Sequence, residues 1–207
     1  MRSLLFRRGA LTCIWLVGAL PPASPVLFAQ AGKPSPQALY ESAKALAAAG
    51  SIGKAIQNYE AALAANPNFI PGLDELAWIR ATSPDARFRN PAEAQRLAGR
   101  LVEMTHFKFR RSTGEEFSKS FKVHTTHTLA AAFAANGNFD QAVECALSSV
   151  ETAQQLRQSD PSPASRKLLA ESEVYLKLFR DGHAFIAREG FSRTEVPVHQ
   201  DEAAPKR

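Results

Sequence analysis

The sequence predicts an all-α chain, built as a short α-solenoid of about three helical hairpins closed by one further helix. Three observations carry that expectation. Alanine dominates the apolar residues while Val, Ile and Tyr are sparse, which favours closely packed helices over sheets. Leu39 and Ala43 recur 34 residues later as Leu73 and Ala77, so a repeat of hairpin length is present. Glycine falls where a first helix should end, at Gly50 in AAAGSIGKA and at Gly137 in AANGNFDQA, as a left-handed residue after a helix requires.

The spacing of small residues places the elements in order. Ala43 to Ala55 is 12 residues and Ala55 to Ala62 is 7, giving helices over about 37–49 and 53–65. Small side chains matter here because two helices approach closely only where the facing residues are short. Asn66-Pro67-Asn68 ends the second helix, since proline disfavours helical geometry before it. A second pair follows over about 70–82 and 91–105. Its matching alanines, Ala77 and Ala94, are 17 apart, so about five residues are inserted in its turn. The third pair, 122–136 and 139–157, returns to the 12-residue spacing from Ala130 to Ala142. A last helix over 162–181, with Leu168, Leu169, Val174, Leu176 and Leu178 near one apolar side, caps the stack and ends at Gly182.

The two ends read differently. Arg2, Arg7 and Arg8 precede the apolar run Ala10–Leu20, Pro21-Pro22 ends it, and Ala29-Gln30-Ala31 offers a small-x-small cleavage pattern. Residues 1–31 are therefore expected to be a signal peptide cleaved near Ala31, exporting the chain to the periplasm or outside the cell. A retained anchor is the alternative, although the run is shorter than the ~20 residues of a standard span. Residues 32–36 are a linker, 37–186 the helical domain, and 187–207, which lacks periodicity, a disordered tail. Without the leader's three arginines the chain has 22 basic against 20 acidic residues, an ordinary balance that does not suggest nucleic-acid binding. Cys145 is then the sole thiol, so the exported fold has no internal disulfide and depends on packing.

The units Thr128–Val150 (TLAAAFAANGNFDQAVECALSSV), Leu39–Asn68 (LYESAKALAAAGSIGKAIQNYEAALAANPN) and, more divergently, Leu73–Val102 carry a resemblance to the tetratricopeptide repeat family over roughly residues 37–180. The middle unit looks like the variant second-last repeat of many bacterial repeat proteins. Two departures stand out: Ser42 occupies a position where leucine is usual, and 14 extra residues separate units two and three. The resemblance implies a fold more than an activity. In that family the first helix of each unit lines a concave face where ligands lie. Carried across residue by residue, this implies a groove of Tyr40, Lys44, Asp74, Trp78, His124, His127 and Ala131 that takes a protein or peptide partner. Trp78 is either the anchor of that groove or a core residue. The Lys and Asn set with which some family members grip a C-terminal carboxylate is not reproduced.

No catalytic pattern stands out: there is no Gly-rich phosphate loop, no serine elbow and no zinc-protease helix. The chain is expected to be no enzyme and to need no cofactor. Cys145, in the apolar pattern Val143, Ala146, Leu147, Val150, is expected to be a buried inert thiol. His124 and His127, at i and i+3, share a helix face; a metal site would need a further converging ligand, and a surface histidine pair is the plainer expectation. The insert Phe107–Val123 interleaves four phenylalanines with five basic residues and offers a second, basic-aromatic surface at Phe107, Lys108, Arg110, Arg111 and Lys119. Thr113-x-x-Glu116 reads as a capping box that lengthens the following helix and lines up Phe117, Phe121 and His124; a hairpin through Ser112-Thr113-Gly114 is the alternative. The phenylalanines are expected to pack the insert against the domain. Taken together these features indicate a binding scaffold. The alternatives are a substrate-presenting accessory of a separate envelope enzyme and a membrane-tethered assembly factor. A monomer is expected, with pairing of two chains through an exposed solenoid end as the alternative.

Overall fold

A computed structural model describes residues 34–108 and 117–187 of the chain. Among them the fold is all-helical and without strands: seven α-helices packed against one another. They are α1 (Pro36–Ala48), α2 (Ile52–Ala65), α3 (Ile70–Thr82), α4 (Pro91–Val102), α5 (Lys119–Ala135), α6 (Phe139–Ser159) and α7 (Pro163–Arg180). Every expected helix is present, and most boundaries fall within a residue or two of expectation. The leader, the last twenty residues and the capping-box residues Thr113 and Glu116 lie outside the described residues.

Sequence chemistry explains the ends. Proline opens α1, α3, α4 and α7, where its missing N–H costs nothing. Ser35, Asn90, Ser118 and Ser162 accept a hydrogen bond from the first turn of the helix that follows each of them. The insert therefore joins α5 at Ser118, where the Phe121 N–H donates to the Ser118 hydroxyl at 3.3 Å. The helix is thus not lengthened back through Phe117, which precedes its Ser118 cap instead of sharing its face, although the Phe117 and Phe121 rings lie 5.0 Å apart. At the other end, α1 stops at Gly50 (φ +74°), with the Ser51 N–H donating to the Leu46 carbonyl at 2.8 Å. The same double cap recurs at Gly137 (φ +80°), where Asn138 donates to Phe133 at 2.9 Å.

Helices pair as α1 with α2, α3 with α4, and α5 with α6; α5 also packs on both α3 and α4, and α7 on α6. The periodic alanines are the contact points: Ala43, Ala55, Ala62, Ala77, Ala94, Ala130 and Ala142 are all fully buried. Around them lie Tyr59, Leu73, Leu76, Leu97, Leu101, Val123 and Phe179, each large side chain contributing about 1.5–3 kcal/mol by leaving water. α4 does not run to 105 as a plain helix. It passes at Glu103 into a π-helical turn through Lys108, in which Thr105 turns its hydroxyl back to the Leu101 carbonyl.

The residues inserted between α3 and α4 form a short 3₁₀ turn, Ala86–Phe88, and Arg80 holds it. The Arg80 guanidinium donates to Glu60 Oε1 at 2.7 Å and to the Phe88 carbonyl at 3.4 Å. Its Nε lies 2.9 Å from Glu93 Oε2, off the line of the N–H, so that contact is a charge contact and not a hydrogen bond. One arginine thus ties α2, α3, α4 and the turn together. No helix among the described residues is long and apolar enough to cross a membrane.

Candidate functional site

The residues expected to line a groove divide into two groups. Asp74 and Trp78 on α3, and His124, His127 and Ala131 on α5, sit where α3, α5 and α7 come together. Tyr40 and Lys44 on α1 belong to another cluster. There the Tyr40 ring meets Tyr59 at 5.9 Å and Phe69 at 5.6 Å, and the exposed Lys44 ammonium lies 5.5 Å from the Tyr40 ring centroid.

The centre of the first group is Tyr175 on α7. Its ring lies 4.8 Å from His127, 6.4 Å from Trp78 in an edge-on arrangement, and 6.0 Å from Phe179 in a stack. Trp78 is 6% exposed and His127 4% exposed. Trp78 is thus a buried residue, and the expectation of a surface histidine pair does not hold: α7 covers His127, and only His124 is partly open, with its ring 6.3 Å from His127. His127 Nε2 and the Ser172 hydroxyl are 2.9 Å apart, and that hydroxyl donates to the Leu168 carbonyl. With its proton so used, Ser172 accepts, and the Nε2–H tautomer of His127 donates. Asp74 accepts from the Thr128 hydroxyl at 2.8 Å, linking α3 to α5 one turn beyond His124. Ala131 is buried at the helix contact.

A short stretch of chain lies across this face. α7 ends at Gly182 (φ +71°), whose cap is completed by the His183 N–H donating to the Leu178 carbonyl. Residues 183–187 then run without helical structure, Phe185 enters between Trp78 (5.6 Å) and Tyr175 (5.2 Å, edge-on), and the Ala187 N–H donates to the Thr82 carbonyl at 2.8 Å. Phe185 is 2% exposed. The hydrogen bond supplies a partner for one of the carbonyls that the last turn of α3 leaves open. Sequence reasoning missed Ser172, Tyr175 and Phe185. The first two were visible as a stripe at helical spacing, Leu168, Ser172, Tyr175 and Phe179; Phe185, alone beyond a helix stop, gave no periodic signal.

Chemically the face is apolar and aromatic with two imidazoles, and suits stacking and hydrogen bonding. No group of three or more His, Cys, Asp or Glu that could hold a metal occurs among the described residues. Cys145, half-buried on α6, has its thiol pushed up to about 11, first by burial and then by the neighbouring Glu144 charge. It is therefore protonated and unreactive near neutrality. Of the second expected surface, Lys119 is exposed in the first turn of α5, Phe107 and Lys108 lie in the π-helical turn, and Arg110 and Arg111 fall outside the described residues. A separate open groove of about 300 Å³ runs between α2 and α4, floored by Leu63, Leu73, Leu76 and Leu97 and edged by Arg96 and Arg100. Comparison with known proteins returns no matching family model, curated protein or solved structure.

Proposed function

We propose that this chain is an exported binding scaffold of the tetratricopeptide type, a short solenoid that acts in the cell envelope or outside the cell. It holds a segment of another protein on the face formed by α3, α5 and α7, while Tyr40 and Lys44 offer a second, separate contact on α1. It works by binding and not by catalysis, with no cofactor. The observation that carries this reading is that the face already seats a length of non-helical chain, 183–187, through an aromatic side chain and a main-chain hydrogen bond. Buried aromatic anchors of this kind supply most of the energy of peptide recognition. The periodic buried alanines support the stacking of hairpins that such a face requires.

The test is capture from envelope extract by the immobilised chain, compared with a Lys44→Glu, His124→Ala variant. Both substituted side chains are at least partly open to solvent, so the variant is expected to melt within a few degrees of the parent. A partner held by the parent and retained at least tenfold less by the variant supports the reading. Equal capture would move binding to the α2–α4 groove or the insert, and the face would lose its assignment.

A further inference from the structure

We propose that residues 183–187 are a resident occupant of the partner face, and that the partner segment displaces them by presenting the same two features. These are an aromatic side chain in place of Phe185 and, two residues on, a main-chain N–H for the Thr82 carbonyl. The inference rests on the scaffold reading and gives its ligand a chemistry.

Three observations carry it. First, the segment is separate from the helix that precedes it. The cap at Gly182 is complete, with its N–H on the Phe179 carbonyl at 3.1 Å and the His183 N–H on Leu178 at 3.1 Å. α7 therefore closes without any contribution from 184–187. Second, one large side chain carries the segment's burial: Phe185 is inserted, while His183 is exposed and Ile186 is 39% exposed. Third, the main-chain contact is sequence-independent. Any non-proline residue supplies an N–H, and the receiving carbonyl ends α3. Specificity then rests on the aromatic slot between Trp78 and Tyr175. A tether of a few residues holds such a segment at an effective concentration in the roughly millimolar range. Weak intrinsic affinity therefore suffices for occupancy in the free protein, while a longer or better-matched segment can compete.

The experiment uses the full chain carrying Trp15→Phe, which leaves Trp78 as its single tryptophan. Adding Phe185→Ala vacates the slot, and Trp78 emission should move to longer wavelength with the helical circular dichroism retained. The end-blocked peptide corresponding to Gly182–Ala187 should then reverse the shift saturably. The same peptide with alanine in place of phenylalanine should not, and the chain that keeps Phe185 should bind at least tenfold more weakly. A folded Phe185→Ala chain that ignores the peptide, or equal binding by both chains, would overturn the proposal. Should Phe185→Ala fail to fold, a protease site inserted after Gly182 allows the folded chain to be cut instead. A released fragment with an intact helical body supports the occupant; loss of helix on cutting, or a fragment that stays bound through gel filtration, sinks it. Peptide failure with envelope capture intact removes the occupant alone. Peptide binding with no captured partner removes the scaffold reading and leaves a self-docked face.

Discussion

The junction that attaches the first hairpin and the junction around α7 follow the same rules at the backbone and differ in what fills them. Both bury alanines among their helices, and a positive-φ glycine closes α1 in the first hairpin and α7 at the second. At the first, α2 packs on α3 beside an open groove, and the connection is reinforced by the Arg80 charge cluster, in which Glu60 is 46% exposed. At the second, α5 is enclosed by α3, α4, α6 and α7, and Trp78, His127, Tyr175, Phe179 and Phe185 fill the space with rings. Aromatic packing in a dry site holds its geometry tightly, whereas a solvent-touched ion cluster adds little net stability. The first hairpin is therefore the part of the fold that opens at lower cost, and the α3–α5–α7 face is the part that keeps its shape.

The largest effect should come from the ring cluster. Tyr175→Ala removes the side chain that touches His127, Trp78, Phe179 and Phe185 at once, and is expected to cost about 3–5 kcal/mol in a chemical or thermal melt. Tyr40→Ala, at the half-buried ring of the first hairpin, should cost clearly less and should loosen α1 and α2 while amide protection in α5 and α6 persists. Equal costs, or a loss of protection throughout from Tyr40→Ala, would abolish the asymmetry.

The charge cluster gives an intermediate effect. Arg80→Met keeps much of the arginine's length and removes the contacts to Glu60, Glu93 and the Phe88 carbonyl. We expect about 1–2 kcal/mol, below the 3–5 kcal/mol of a fully buried pair, because Glu60 regains water when its partner goes. Hydrogen exchange should accelerate first in α2 and in the 83–90 turn. A loss as large as that of Tyr175→Ala would mean that the ions, and not the rings, organise the molecule.

How much of this was legible in the sequence depends on range. The hairpins were readable because their signals are local: Gly50 and Gly137 mark helix ends, and the alanine spacing marks contact faces. Every alanine singled out for its spacing is fully buried. Arg80 was not readable, because its partners Glu60, Phe88 and Glu93 come from three separate stretches of the chain. The groove residues were identified by position along each first helix, which gives the direction a side chain faces but not what covers it. Trp78 and His127 do face one side. Tyr175 and Phe185, from a helix expected only to cap and from a segment beyond its stop, close over them.

The smallest effect, and the finest measure of the contrast, is the reactivity of Cys145 on α6. Burial, and then Glu144, raise its folded-state thiol from 9.0 to about 11. The sign follows from proton binding: between those values the folded chain holds a proton that the unfolded chain has released. That part of the stability is fully present below about pH 9 and is lost as pH rises towards 11. At pH 8 only about one molecule in a thousand carries the thiolate, roughly a hundredfold fewer than for an open thiol. Labelling by a small alkylating reagent should be slower by about that factor and should gain rate with pH up to about 11. Because α6 packs on α5 and α7, Arg80→Met should leave this rate unchanged while amide exchange in α2 accelerates. A parallel rise in Cys145 labelling would show that the two junctions open together.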